Sequence, residues 1–177
     1  GAQVPHIADL LAAAAGKAQG GVDDMAMALK QSGLVASQMG LSVEETTGAL
    51  AAFASYGLIG SDAGTSFRTM LLRLVNPTEE VKDLMAKYNI TLYDSQDKFI
   101  GVAGVAEQLR TKLGGLADGQ RGAAMATIFG TDAIRAANVL YDEGAAGIQE
   151  WTNAVNDQGY AAETAAIKMN NLKGDLE

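Results

Sequence analysis

Apolar positions recur every three or four residues through most of the chain, and glycines or capping residues break the rhythm at short intervals. That pattern predicts a series of short amphipathic helices. The first begins near Pro5, places Ile7, Leu10, Leu11 and Ala14 on a narrow stripe, and ends between Gly16 and Gly21. The second opens at Val22 with Asp23 and Asp24 in its first turn, where carboxylates meet the positive end of the helix dipole. Met25, Ala28, Leu29, Leu34, Val35 and Met39 continue it, Ser32-Gly33 is a candidate kink, and Gly40 closes it. Ser42-Val43-Glu44-Glu45 then reads as a capping box for a third helix that turns Leu50, Phe53 and Ala54 inward.

The stretch Gly57–Leu74 organises what surrounds it. Gly57 suits a left-handed helix stop, Leu58-Ile59 a short apolar hinge, and Gly60 a second break. Ser61 or Asp62 is expected to cap a new helix, whose opening residues Ala63, Gly64, Thr65 and Ser66 are small enough to admit a neighbouring backbone. Phe67, Met70, Leu71 and Leu74 follow at i, i+3, i+4 and i+7 and form its apolar face. Arg68 and Arg73 lie off that face and read as solvated or paired charges. Gly57, Gly60, Ser61, Asp62, Ala63, Gly64 and Thr65 together form a structural junction motif that holds no catalytic group.

Beyond it, Asn76-Pro77-Thr78-Glu79 repeats the opening grammar, with Asn76 as cap and Pro77 in the first helical position. Val81, Leu84, Met85 and Tyr88 give that helix its apolar face. Residues 89–101 lose the helical period; Ile90, Leu92, Phe99 and Ile100 flank the turn Asp94-Ser95-Gln96-Asp97, which suggests a small hairpin. The turn lacks the further acidic ligands of a calcium loop and reads as an Asx-type turn. Helices resume at about 102–114, 118–129, 131–143, 145–156 and 160–176. Gly130-Thr131-Asp132-Ala133 echoes Gly60-Ser61-Asp62-Ala63 as reused junction grammar, and Trp151, with Ile148 and Val155, reads as a core anchor. In the last helix Ala162, Ala165, Met169, Leu172 and Leu176 run at alternating spacings of three and four, a candidate oligomer seam. The reading is therefore all-α: a compact multi-helix domain of about eight to nine helices over 1–157, with the small hairpin near 89–101. A C-terminal helix over 158–177 follows, with a pattern that suits continuation as a coiled coil.

Composition sharpens this picture. Hydrophobic residues make up 48% but aromatics only 6%, so the core is built from small and aliphatic side chains. Two prolines among 177 residues favour helix, and 21 glycines exceed what the loops need, so some belong at close helix crossings. A net charge of −8 opposes direct nucleic-acid binding. No cysteine and a single histidine, His6, leave no thiolate chemistry, histidine triad or multi-histidine metal site within the chain. No signal-peptide pattern is read. Thr46–Ser61 is uncharged but too short to span a membrane and is broken by Gly57 and Gly60.

The remaining candidates for chemistry have plainer explanations. The pairs Asp23-Asp24, Glu44-Glu45 and Glu79-Glu80 sit in helix first turns, where the dipole accounts for them without acid–base work. Gly60–Thr65 has no lysine and no preceding strand, so it is not a phosphate loop. No catalytic residue, cofactor or metal is assigned, and the chain reads as no enzyme. A hydrolase would need a pocket with perturbed carboxylates.

With the junctions laid out, the sequence resembles the core region of phage tail tape measure proteins. The motifs that carry the resemblance are collinear. They are Ala36–Ser42 leading into Glu44-Glu45-Thr46, then Gly57–Thr65 with Phe67-Arg68, the most specific of them. Leu74–Thr78, Ile128-Phe129-Gly130 and Met169–Gly174 follow, and together they reach over almost the whole chain. The resemblance implies a long, mostly helical virion protein that occupies the tail tube, sets its length and leaves ahead of the DNA at ejection. It further implies assembly in the bacterial host cytoplasm, with tail tube, tail-tip or tail-assembly chaperone proteins as partners; the spacing of the last helix itself adds a homo-oligomer through the C-terminal helix as a candidate. Some members carry membrane-spanning or wall-degrading segments, and nothing in this stretch matches either. The competing reading is an acidic helical interaction module outside any virion.

Size separates two uses of such a stretch. As one helix the chain would measure about 265 Å. Folded, its radius of gyration is roughly 16 Å and its body about 40 Å across. The frequent stops and caps favour the folded station over the extended ruler.

Overall fold

The computed structural model describes residues 3–176, with side chains from 5 to 174. Among them the chain forms α1 (Gln3–Lys17), α2 (Val22–Gln38), α3 (Val43–Ser55), α4 (Gly60–Val75), α5 (Glu79–Lys87), α6 (Gly101–Leu113), α7 (Asp118–Val155) and α8 (Tyr160–Leu176). The all-α expectation holds, and the excursion at 89–101 closes only one antiparallel bridge, between Tyr93 and Phe99.

The helix ends follow from local chemistry. Gly40 and Gly57 take φ +85° and +83°, and Asn89 takes +56°. In each case the next residue donates back across six residues, Leu41 to Ala36, Leu58 to Phe53 and Ile90 to Met85, at 3.0, 3.0 and 2.8 Å. These are Schellman stops, in which an apolar residue just past the end folds under the helix it terminates. Leu41, Leu58 and Ile90 are accordingly buried.

Helix α4 packs against α2, α3 and α7. It runs beside α2 in the same direction: the Asp24 side chain lies against Gly60 where both helices start, and Met39 and Val75 line one cleft at the other end. A Cβ on Gly64 would lie 2.9 Å from the Ala28 carbonyl oxygen, so the crossing requires glycine there. Phe67 of α4 meets Phe53 of α3 edge to face at 5.2 Å, and both are fully buried. Nine consecutive residues of α3, Thr46 to Ala54, are buried. Its crossing with α7 is closer still, because a Cβ on Gly48 would stand 2.6 Å from the Thr152 Cα. Three buried hydroxyls are satisfied locally: Ser32, Thr46 and Thr47 donate to the carbonyls of Ala28, Ser42 and Val43 at 2.7–2.8 Å.

Four local expectations differ from the structure. Ser61 and Asp62 do not cap α4; the extended Ile59 precedes it and no side chain caps it. The first turn is pressed against neighbours, so Ser61 is spent on Gln31, and Asp62 faces Arg135 at 3.8 Å. The cap of α5 is Thr78, whose hydroxyl accepts from Val81 N–H at 3.3 Å, leaving Asn76 and Pro77 outside the helix. The threonine hydroxyl satisfies an orphan donor of the first turn, so the helix starts two residues later than an Asn76 cap would set it. Helix α2 continues unbroken through Ser32-Gly33, with the buried Ser32 hydroxyl satisfied one turn back and glycine tolerated inside the helix at a modest penalty. Helix α1 begins at Gln3 rather than near Pro5.

Candidate functional site

The junction motif divides its residues between two jobs. Gly57 ends α3, and Gly60, at φ +58°, starts α4. Ala63 and Gly64 are buried at the α2 crossing, while Ser61, Asp62 and Thr65 lie at its exposed edge. Thr65 Oγ1 donates to Gln31 Oε1 at 3.4 Å. The geometry is that of a helix crossing, and no acid–base pair converges on it.

The echo at Gly130 leads to a feature that local pattern did not reveal. Helix α7 is interrupted at Gly130 (φ 74°, ψ −179°) and Gly144 (φ 68°, ψ 179°), giving segments 118–129, 131–143 and 145–155. Those breaks fall where the sequence placed its helix boundaries. Each interrupted end is held by a cation from another helix. Arg73 of α4 donates to the carbonyls of Ile128 (3.0 Å) and Thr127 (3.2 Å). Arg110 of α6 donates to those of Asp142 (2.8 Å) and Tyr141 (3.4 Å). Lys17 of α1 donates at 2.8 Å to the Ala154 carbonyl and to Asp157 Oδ2, closing the third segment. Cations at helix C-termini satisfy orphan carbonyls and oppose the negative dipole end. Arg73, read from sequence as a solvated or paired charge, is thus a partly buried cap. Ser66, also in α4, accepts from the Ala136 N–H at 3.1 Å in the middle segment.

Among the helices, α8 packs on α1 alone. Its first turn is held by Asp9, which accepts from Gly159 N–H at 2.9 Å and Ala161 N–H at 3.2 Å. From Ala165 onward the described side chains are exposed. Of the seam residues, Ala162 and Ala165 are exposed, and Met169 and Leu172 are 61% and 62% exposed. The side chain of Leu176 lies outside the described residues.

The groups whose titration the fold clearly shifts, Glu44, Tyr56 and Asp94, lie apart from one another in the chain. His6 Nε2 meets Glu44 Oε1 at 2.6 Å, tying α1 to the first turn of α3. That bond, helped by backbone N–H donation, holds the Glu44 carboxyl below its ordinary value. Asp94 is lowered by the N–H groups of Lys98 and Gln96, which donate to its Oδ1 at 3.0 and 2.8 Å as an Asx turn does. Desolvation, then Glu143 and Asp142, raises the Tyr56 hydroxyl beside the Gly144 break. A cleft of about 460 Å³ between α3, α6 and α7 is lined by Glu45, Gly101, Gln149, Thr152 and Asn153 among others. Glu45 is its one acidic or basic group, so the paired carboxylates of a hydrolase are not assembled there. Among the described residues no three His, Cys, Asp or Glu side chains cluster as a metal site, and no helix is long and apolar enough to cross a membrane.

The family described as phage-related minor tail protein matches residues 1–130. The chain belongs to that family. The tape measure protein of Pneumococcus phage Dp-1 is 34% identical over 176 residues, covering 99% of the chain and 15% of that protein. The probable tape measure protein of Escherichia phage P2 is 31% identical over 179 aligned residues, covering 99% of the chain and 22% of its own length. The resemblance to tape measure proteins is borne out from end to end, and the chain spans less than a quarter of either relative. No solved structure matches the chain significantly.

Proposed function

We propose that this chain is a folded structural domain of a phage tail tape measure protein, acting in tail assembly and length determination and in genome ejection. The observation that carries the reading is similarity over 99% of the chain to two tape measure proteins, of which it covers only 15% and 22%. On this reading the domain resides in the virion tail, after assembly in the bacterial cytoplasm. Its partners are tail tube, tail-tip or chaperone proteins, with residues 1–157 as the docking body. Residues 158–177 are the C-terminal unit that includes α8, and the exposed Ala162, Ala165, Met169 and Leu172 of that helix suit self-association. A body whose helices fold back on one another adds little measured length, so the domain is a station on the ruler rather than a stretch of it.

Deleting these residues in frame from the parent protein and measuring tails by negative-stain microscopy tests the proposal. Absent tails, or tails of uncontrolled length, are expected. Tails shortened by about 265 Å, in proportion to helical rise, would instead make the stretch part of the ruler. Infectious particles with unchanged tails would overturn the tail role and favour an interaction module outside the virion.

A further inference from the structure

From the two interruptions of α7 we infer that Gly130 and Gly144 are the joints, and Arg73 and Arg110 the locks, of an arm that can straighten into one continuous helix. The inference deepens the proposed role by supplying a route from the folded station to a form slender enough to travel along a tube.

Both joints occupy backbone with φ near +70° and ψ near 180°, a region open in practice only to glycine. Everything between them is helix, and no proline lies between Asp118 and Leu176. A joint that moves to helical dihedrals therefore meets no covalent obstacle, and glycine inside a helix is tolerated at a modest penalty.

The locks compete directly with that change. In a continuous helix each carbonyl accepts from the N–H four residues on. Thr127 and Ile128 would then accept from Thr131 and Asp132, and Tyr141 and Asp142 from Ala145 and Ala146. These are the same four carbonyls now held by Arg73 and Arg110. Each guanidinium stands where the next helical turn would be. Removing it orphans two carbonyls in the bent form and none in the straight form. Lys17 adds a third tie at the end of the arm, through the Ala154 carbonyl.

The opposing force is burial. Phe129, Leu140 and Ile148 of the arm are in the core, so straightening uncovers an apolar stripe and the bent form dominates while the first half of the chain is seated against it. Straightened, the 38 residues of α7 measure about 57 Å end to end and about 10–12 Å across.

The chain has no cysteine, so Ala123→Cys and Glu150→Cys, at exposed positions on the first and third segments, take two spin labels uniquely. In one straight helix these sites are about 40 Å apart. Pulsed dipolar spectroscopy, with labelled chain diluted into unlabelled chain, reads that distance, and far-ultraviolet dichroism reads helix content. In Gly130→Ala/Gly144→Ala, which forbids the bent joints, the main distance is expected at about 40 Å with helix content kept or raised. In Arg73→Ala/Arg110→Ala the same distance is expected as a component absent from the parent chain. Retention of the parent distance in both variants, or loss of helix content without a component at about 40 Å, overturns the inference. The tail-deletion experiment does not depend on this measurement, so altered tails with no straightened form would remove the joints and leave the proposed role standing.

Discussion

Helices α3 and α8 are both alanine-rich and differ in length by only four residues, 13 against 17, yet one is sealed in the core and the other stands almost free. In α3 the charged residues are confined to the first turn, Glu44 and Glu45, and everything from Thr46 to Ala54 is buried. In α8, Glu163, Lys168 and Lys173 are spread along the helix between its apolar positions, and Ile167, Met169 and Leu172 are at least 60% exposed. Apolar content alone does not decide burial. What differs is how much of the helix surface is free of charge, the whole length past the first turn in α3 against one narrow seam in α8, and whether the chain supplies a neighbour to cover it.

Four tests break or sharpen that contrast. The largest effect is expected from Phe53→Ala, which empties the centre of α3 opposite Phe67; chemical denaturation should show a loss of about 3–5 kcal/mol. Next comes a matched pair of glycines. Gly48→Ala drives a methyl into the Thr152 backbone and should lower stability by about 1–3 kcal/mol, since neither helix axis can yield without disturbing the core. Gly174→Ala, with nothing within 4 Å of the new methyl, should instead raise the helix content of α8 by an amount consistent with about 1 kcal/mol or less.

A smaller, pH-dependent effect ties α3 to α1. Because the folded Glu44 carboxyl lies below its ordinary value of 4.5, its contribution is present above that value and is lost as pH falls through the lowered one. Acid titration of stability should therefore be shallower below pH 4.5 in His6→Ala than in the parent chain, His6 being the largest cause of the shift. The least effect belongs to Met169→Ala/Leu172→Ala, which should leave the denaturation midpoint of the body within about 0.5 kcal/mol of the parent. A larger loss would mean that the exposed side of α8 is covered in solution.

Much of this fold was legible because its punctuation is local. Gly40 and Gly57 announce their own conformation, Ser42 accepts from Glu45 N–H at 3.1 Å as a cap should, and Gly130 and Gly144 divide α7 where the apolar period restarts. Of the misread starts, that of α4 shows tertiary contact overriding the local option, Ser61 turning to Gln31, while at α5 a second local cap, Thr78, takes the place of Asn76. What was not legible lies between residues far apart in the chain. Gly48 looks like any small residue in an alanine-rich helix until Thr152 arrives against it. Arg73 and Arg110 look like surface charges until their acceptors, 55 and 32 residues away for the shorter bonds, are brought to them. No periodicity encodes a carbonyl partner. The exposed seam of α8 has the opposite character, a clear spacing whose counterpart the chain does not itself supply.

Trp151, the one tryptophan of the chain, lies in the third segment of α7, half-buried against the core. Tryptophan emission moves to the red when the indole gains water, and five tyrosines contribute little when excitation is set at the red edge. The molecule therefore carries a native optical reporter on the part of the arm farthest along from its first joint. A stopped-flow record of that emission would time the seating and release of the segment in unmodified protein, with no label to disturb it.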